Sequence, residues 1–461
     1  MSRRAVAVVV AGLITAGAGS AVAYVELVDN PFEPPPPPAT LNPMPAAEAE
    51  SAPTVLAAAK REAPPAAEIA ATLDDAIAQS DLDGRIGVIV TDLTTAEVLY
   101  EQSADLALTP ASTLKLLVAG AVLEVLGPDV RFTTSVVPGE SDDEIVLVGG
   151  GDPTLFTADP LMRESTSLAE LAKQTAAVLR ESGVDQVALG FDDSMFSGPS
   201  INPAWRSTYV STGVAAPVTA LAVDGGRTRP GFAARASDPA LAAATAFADL
   251  LSAEGVTVEG PPARVPSRQD AAPLVVAESA PVSDIVEYVI ASSNNDMAEI
   301  LARHVAIGLG RPGSSEEASS AVVAVLAEMG IDTSEMTILD GSGLARGNAV
   351  PARALTDLLG IAADPANAHL RAVIIGLPVA AFNGTLRERV EDAPGQVRAK
   401  TGTLTGVHSL AGVVTGDGGV AYAFALLSND AGNALEARVA LDEVAASLAG
   451  CGCATPTSQA G

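Results

Sequence analysis

Two spacings of apolar residues succeed one another along this chain, and the changes between them mark its elements. Apolar positions at helical spacing over 67–79 give way to a strict alternation, Ile86-Gly87-Val88-Ile89-Val90, and then to a turn and Val98-Leu99-Tyr100. That reads as a helix followed by a β-hairpin. Thr109-Pro110-Ala111 supplies a capping residue and an early proline for a buried apolar helix over 114–126, which Gly127-Pro128 ends. A β-rich stretch over 132–149 and a helix near 167–182 come next, and the chain then reads as loop as far as Gly226.

Helices are predicted over 239–254, 281–309, 318–329, 352–362 and 369–375. Strands over 397–400, 407–414 and 422–427 close the pattern, the last two joined through Gly416-Asp417-Gly418-Gly419, and a helix over 435–448 ends it. Helices on both sides of an antiparallel sheet predict an α/β sandwich with the middle segment as an insertion.

The ends read differently. After Arg3-Arg4, residues 5–25 carry no charge and finish in Ala21-Val22-Ala23, which predicts an export signal, with an uncleaved membrane anchor as the alternative. A Pro/Ala/Glu-rich stretch follows, including five consecutive prolines from Pro34 to Pro38, and such a sequence makes a spacer rather than a core. The expected organisation is therefore a signal or anchor at 1–29, a linker at 30–65, a catalytic domain at 66–130 and 230–450, an inserted domain at 131–229 and a tail at 451–461. Cys451 and Cys453 fall in that tail and suggest a strained disulfide, a thiol pair or a weak metal site, with no catalytic role.

Composition narrows the function. With 461 residues, 48% of them hydrophobic, the chain can bury a large core. A net charge of -30, from 26 Lys+Arg against 56 Asp+Glu, repels polyphosphate and argues against nucleic-acid partners. In so acidic a chain the lysines are informative: there are only Lys60, Lys115, Lys173 and Lys400.

Two of them stand in motifs. Ser112-Thr113-Leu114-Lys115 puts a hydroxyl and an amine on one helical face at i, i+3, where the first turn favours developing negative charge. Serine needs a base, and lysine serves as one only if an apolar wall or a second cation lowers its pKa. Lys400-Thr401-Gly402-Thr403 lies on a predicted strand, where a cation, two hydroxyls and a glycine can hold a carboxylate and align an extended peptide. The Thr403 and Ser112 amides could together form an oxyanion hole. Ser293-Asn294-Asn295, on or beside a helix, offers a proton shuttle in Ser293 and an amide in Asn295 to orient Lys115 and a substrate carbonyl, or else simple helix capping.

Ser-x-x-Lys, Ser-x-Asn and Lys-Thr-Gly in this order resemble the active-site set of penicillin-binding proteins and serine β-lactamases. The flanking Gly149-Gly150-Gly151-Asp152-Pro153-Thr154-Leu155, Asp340-Gly341-Ser342-Gly343-Leu344 and 400–407 segments are similar to those of the D-alanyl-D-alanine carboxypeptidase/endopeptidase family, penicillin-binding protein class C or 4-like, across 73–448. The resemblance implies an α/β transpeptidase sandwich with an inserted domain. It implies acylation and deacylation on D-Ala-D-Ala peptides of peptidoglycan, and on crosslinks in some members, with β-lactams as acylating inhibitors and no cofactor or metal. It assigns Ser112 as nucleophile, Lys115 as base and Ser293 as proton shuttle. Asn295, Lys400, Thr401, Gly402 and Thr403 become substrate-binding residues. The Ser112-to-Ser293 interval is short for this family, so one inserted domain is expected rather than two.

Rival readings have weaker support. A Ser-His-Asp hydrolase would need His304, His369 or His408, and no Gly-x-Ser-x-Gly elbow is present; nor is a His-Glu-x-x-His zinc motif. A β-lactamase shares all three motifs but not the insertion, and a non-catalytic wall-binding protein would not need them intact.

Overall fold

The computed structural model describes residues 66–79, 84–141, 143–229, 232–268, 270–416 and 419–450. The expected signal or anchor, the linker, and the tail with Cys451 and Cys453 lie outside the described residues. Among the described residues no helix is long and apolar enough to cross a membrane.

The chain begins with α1 (Ala66–Gln79), β1 (Arg85–Asp92), β2 (Val98–Gln102) and α2 (Leu114–Leu126). It then leaves for a second sheet built from β3 (Thr133–Pro138), β4 (Glu144–Gly149), α3 (Leu168–Glu181), β5 (Gln186–Asp192), α4 (Pro239–Ala253), β6 (Thr257–Arg264) and β7 (Val275–Glu278). It returns through α5 (Val282–Ser292), α6 (Asn295–Gly308), α7 (Ser315–Glu328), α8 (Ala352–Ala363) and α9 (Arg371–Ile375). The last elements are β8 (Val397–Leu404), β9 (Val407–Thr415), β10 (Ala421–Asn429) and α10 (Ala434–Gly450).

The first sheet has the order β2-β1-β10-β9-β8, antiparallel throughout. Alternation along its strands supplies two faces. Tyr422, Phe424 and Leu426 of β10 join Val88, Val90 and Leu410 under α1 and α10, where Ile69, Leu73, Leu441 and Leu448 are buried. Ala423, Ala425 and Leu427 point the other way with Ala411 and Ile89, into the larger core of α2, α5, α6, α7 and α8. Small residues on that face let α8 lie close to the sheet, and the largely apolar α2, buried from Leu114 to Leu123, packs behind it among α5, α6, α7 and α8.

The second sheet has the order β6-β5-β4-β3-β7; β4-β5 and β5-β6 are parallel, β3-β4 and β3-β7 antiparallel. Leu168, Leu171, Phe247 and Leu251 of α3 and α4 cover its Val136, Leu147 and Leu189. Three of these strands, β5, β6 and β7, are absent from the pattern-based reading. β7 has four residues, and β6 is an exposed edge strand carrying Gly260-Pro261-Pro262, composition that signals a loop unless an edge position excuses it. Because β6 and β7 belong to this sheet and α4 covers it, its strands continue past the expected boundary at Arg229 to Glu278.

The long helix expected over 281–309 is two helices. Ser293 closes α5 in the left-handed region (φ 59), and the Asn294 side chain caps α6 by accepting from the Met297 amide at 3.1 Å. The capping role expected of Thr109 is not met: its Oγ1 donates to the Arg346 carbonyl and its amide donates to Asn429 Oδ1.

Candidate active site

Three pieces of backbone converge beside the first sheet: the turn that enters α2, the break between α5 and α6, and strand β8. Ser112 is half-buried in a single 3-10 turn, Ala111–Thr113, immediately before α2. Asn429 holds the approach to this turn from both sides, accepting from the Thr109 amide at 2.8 Å and donating to its carbonyl at 3.0 Å. Ser409 Oγ donates to the Pro110 carbonyl at 2.6 Å. Strand β8 passes so close that a Cβ on Gly402 would sit 2.1 Å from Ser409 Oγ and 2.9 Å from the Ser112 amide nitrogen. Glycine at this point is a packing requirement.

Lys115 is buried, and its Nζ has three oxygen neighbours: Ser112 Oγ at 2.9 Å, Asn295 Oδ1 at 2.9 Å and the Ser342 carbonyl at 2.6 Å. Asn295 Nδ2 donates to the Val214 carbonyl at 2.9 Å, which fixes its oxygen toward the lysine. Burial lowers the Lys115 pKa to about 8, against an opposing pull from Asp340, Glu299 and Asp296. Of the two causes foreseen for this depression, it is desolvation that acts. The three oxygens match the three donors of the ammonium, and loss of one proton leaves two hydrogens for the two carbonyl oxygens and a lone pair toward the Ser112 hydroxyl.

Lys400 is buried as well. Its Nζ donates to Ser293 Oγ at 2.8 Å and to the Thr401 carbonyl at 2.9 Å, and burial, then Lys115 and Arg389, push its pKa well down. The left-handed backbone at Ser293 is what turns its hydroxyl toward β8. Thr401 Oγ1 donates to Thr385 Oγ1 at 2.9 Å, and Thr403 is exposed at the strand edge. The structure thus brings together Ser112 with Lys115 and Asn295, and Ser293 with Lys400.

A supporting layer was not assigned roles from sequence. Asp340 accepts from the Gly343 and Ala345 amides, Asn348 Nδ2 and Trp205 Nε1, and the short loop it organises delivers the Ser342 carbonyl to Lys115. Glu299 Oε1 accepts from the Gly341 and Ser342 amides at 2.9 and 2.8 Å; burial and the neighbouring Asp340 raise its pKa. Gly343 (φ +83) lies against the Ser112 turn, where a Cβ would meet the Ala111 carbonyl oxygen at 1.9 Å. The segment 193–235 of the chain also reaches this layer: Trp205 binds Asp340, Val214 binds Asn295, and Arg235 pairs with buried Asp296 at 2.9 Å. The sequence signals for this layer are the runs Ser293 to Glu299 and Asp340 to Leu344; many of its hydrogen bonds are to backbone and could not be read from residue types.

The histidines of the rival triad lie elsewhere. His304 stacks on Phe132 and bonds the Gly151 carbonyl, His369 pairs with Glu124, and His408 sits in β9 with neither ring nitrogen hydrogen-bonded.

This fold and constellation define a serine-type peptidase on the penicillin-binding-protein fold. The model of the D-Ala-D-Ala carboxypeptidase 3 (S13) family matches residues 69–236 and 228–448, and the chain belongs to that family. The protein is a serine-type D-Ala-D-Ala carboxypeptidase. It is 37% identical to the carboxypeptidase DacB of Mycolicibacterium smegmatis over 97% of each chain. It is 31% identical to the D-alanyl-D-alanine carboxypeptidase of an Actinomadura species, covering 78% of this chain and 81% of that one. Among solved structures, penicillin binding protein 4 from Haemophilus influenzae superposes with a TM-score of 0.69 at 22% identity, covering 82% of this chain and 98% of the other, which shows the fold.

Proposed function

We propose that Ser112 is the nucleophile of this carboxypeptidase and Lys115 its base. The observation that carries the assignment is the set of three contacts on Lys115, two to carbonyl oxygens and one to a hydroxyl. The lone pair takes the Ser112 proton as Oγ attacks the carbonyl of the penultimate D-Ala. The Ser112 and Thr403 amides receive the negative charge that develops on that oxygen. As the C–N bond breaks, Ser293 gives its proton to the departing amine of the terminal D-Ala and regains the one that Lys115 took from Ser112. Water then hydrolyses the ester, with the neutral Lys115 taking its proton and returning it to Ser112 Oγ as the acyl group leaves.

Lys400, Thr401 and Thr403 bind the terminal carboxylate, Gly402 lets the peptide backbone approach, and Asn295 orients Lys115 and the acyl carbonyl. Two buried amines share this site, and an incoming carboxylate restores charge to Lys400 and tightens its own binding. The substrates are peptidoglycan stem peptides, so the body works outside the cytoplasm, exported or anchored by its N-terminal segment. β-Lactams present a carbonyl and a carboxylate to the same groups and acylate Ser112.

Incubation of residues 66–461 with excess benzylpenicillin, read by intact mass beside Ser112→Ala, tests this. One penicilloyl group on the wild type and none on the variant is the expected result. An adduct that persists marks a peptidase; one hydrolysed within seconds would mark a β-lactamase. Absence of an adduct with penicillin unconsumed would remove Ser112 from the chemistry.

A further inference from the structure

The edge of β8 is open only in part. Residues 378–380 lie along its first half as a short antiparallel partner. The Ala399 amide donates to the Pro378 carbonyl at 3.0 Å, the Ala380 amide donates to the Val397 carbonyl at 2.9 Å, and Val379 stands opposite Arg398. The Val379 amide donates to Asn383 Oδ1 at 2.7 Å, which pins the turn that follows. That turn carries Gly384 (φ +53) against the Ala291 carbonyl near the end of α5, and it delivers Thr385 to the Thr401 hydroxyl. The segment 378–385 is therefore wedged between the edge of β8 and the break that presents Ser293.

The direction of a bound peptide follows from the roles proposed above, on which this inference rests. The acyl carbonyl sits at the Ser112 and Thr403 amides, and the departing amine at Ser293, which hydrogen-bonds Lys400. The leaving group thus extends from Thr403 toward Ala399, where 378–380 already occupies the edge. Backbone groups facing this edge alternate along the strand, so past Ala399 only those of Thr401 and Thr403 remain, about 7 Å apart, room for the acyl residue and one leaving residue.

We infer that residues 378–385 form an end wall that restricts the leaving group to a single residue whose main chain stops there. The carboxylate-binding residues select for charge, and the wall selects against continuation. A crosslink whose leaving residue is acylated on its side chain and keeps a free α-carboxylate obeys the same rule.

The two selections separate with three peptides: diacetyl-Lys-D-Ala-D-Ala, its C-terminal primary amide and its C-terminal n-butylamide. Both amides lack the carboxylate, and only the butylamide continues past it. For the wild type, kcat/KM for the butylamide is expected to lie at least about tenfold below that for the primary amide. In Ala380→Pro, which removes the bond to Val397, the gap should close to about threefold or less with the free-acid peptide cleaved as by wild type. Asn383→Ala, which releases the Val379 amide, should narrow it in the same direction should the proline variant fail to fold. Equal kcat/KM for the two amides in the wild type, or a gap unmoved in a folded variant, would overturn the wall. Loss of cleavage of the free-acid peptide by wild type, together with no acylation by benzylpenicillin, would instead strike the assignment of the site.

Discussion

Lys115 Nζ lies 2.6 Å from the carbonyl oxygen of Ser342, two residues past the aspartate that organises that loop. The contact orients the amine. With Asn295 Oδ1 accepting its second hydrogen, the third points at Ser112, and loss of that proton leaves a lone pair in the same direction.

The pH dependence of acylation follows from the state of that amine. Burial brings the Lys115 pKa down to about 8, and only the neutral form is a base. The second-order rate constant for benzylpenicillin should therefore rise with pH, roughly tenfold per unit below 8, and level off above it. Stopped-flow acylation across pH 6 to 10 measures the profile; a flat profile over pH 6 to 8 would assign the base elsewhere.

Glu299 adjusts this profile without touching substrate. Its negative charge raises the Lys115 pKa. Glu299→Gln keeps an oxygen for the Gly341 and Ser342 amides but removes the charge, so the midpoint should move to lower pH while the plateau rate stays within a few-fold. Glu299→Ala leaves two buried amides without an acceptor and should cost about 2–4 kcal/mol in denaturant unfolding, with acylation impaired at every pH.

Lys115→Ala should reduce acylation by a factor of about 10³ or more while leaving the far-UV spectrum and cooperative unfolding intact. Full acylation in that variant would require another base.

Lys400→Ala separates recognition from chemistry. It removes a cation from the proposed carboxylate site and a partner from Ser293, so both kcat/KM on the free-acid peptide and the preference for it over the primary amide should fall, the latter toward unity. Kinetics unchanged on both would remove Lys400 from the site.

Gly343→Ala tests the fit of the supporting loop. The new methyl would lie 1.9 Å from the Ala111 carbonyl, at a φ of +83 that a side chain resists. A loss of about 2 kcal/mol or more of stability and a large fall in acylation are expected. An unchanged melting temperature would show that the loop yields.

Much of this was legible in the chain. Helix α2, the β1-β2 hairpin and the alternating β9 and β10 follow from apolar spacing alone, and all eight proposed site residues sit in three short motifs. What escaped was decided by tertiary context. Continuous apolar spacing over 281–309 runs straight through the break at Ser293, which no Gly or Pro marks; its one sign was the capping alternative for Ser293-Asn294-Asn295, which Asn294 fulfils. Strand β6 hid behind prolines that only an edge position permits, and with it the reach of the second sheet to Glu278. Ser342 was invisible as a ligand since it acts through its carbonyl, which every residue possesses.

One pairing has a consequence for the life history of the molecule. Strand β1 finds its partner in β10, and Arg85 ends its ladder in a salt bridge to Asp430, 345 positions away. The central strands of the catalytic sheet are thus supplied by the two extremes of the folded body, and so long a closure is slow and late. While the chain is still emerging, Ser112 and Lys115 have neither the β8 edge nor the Asn429 clamp beside them. On the assignment proposed above, the nucleophile and its base are complete only once the final strands arrive.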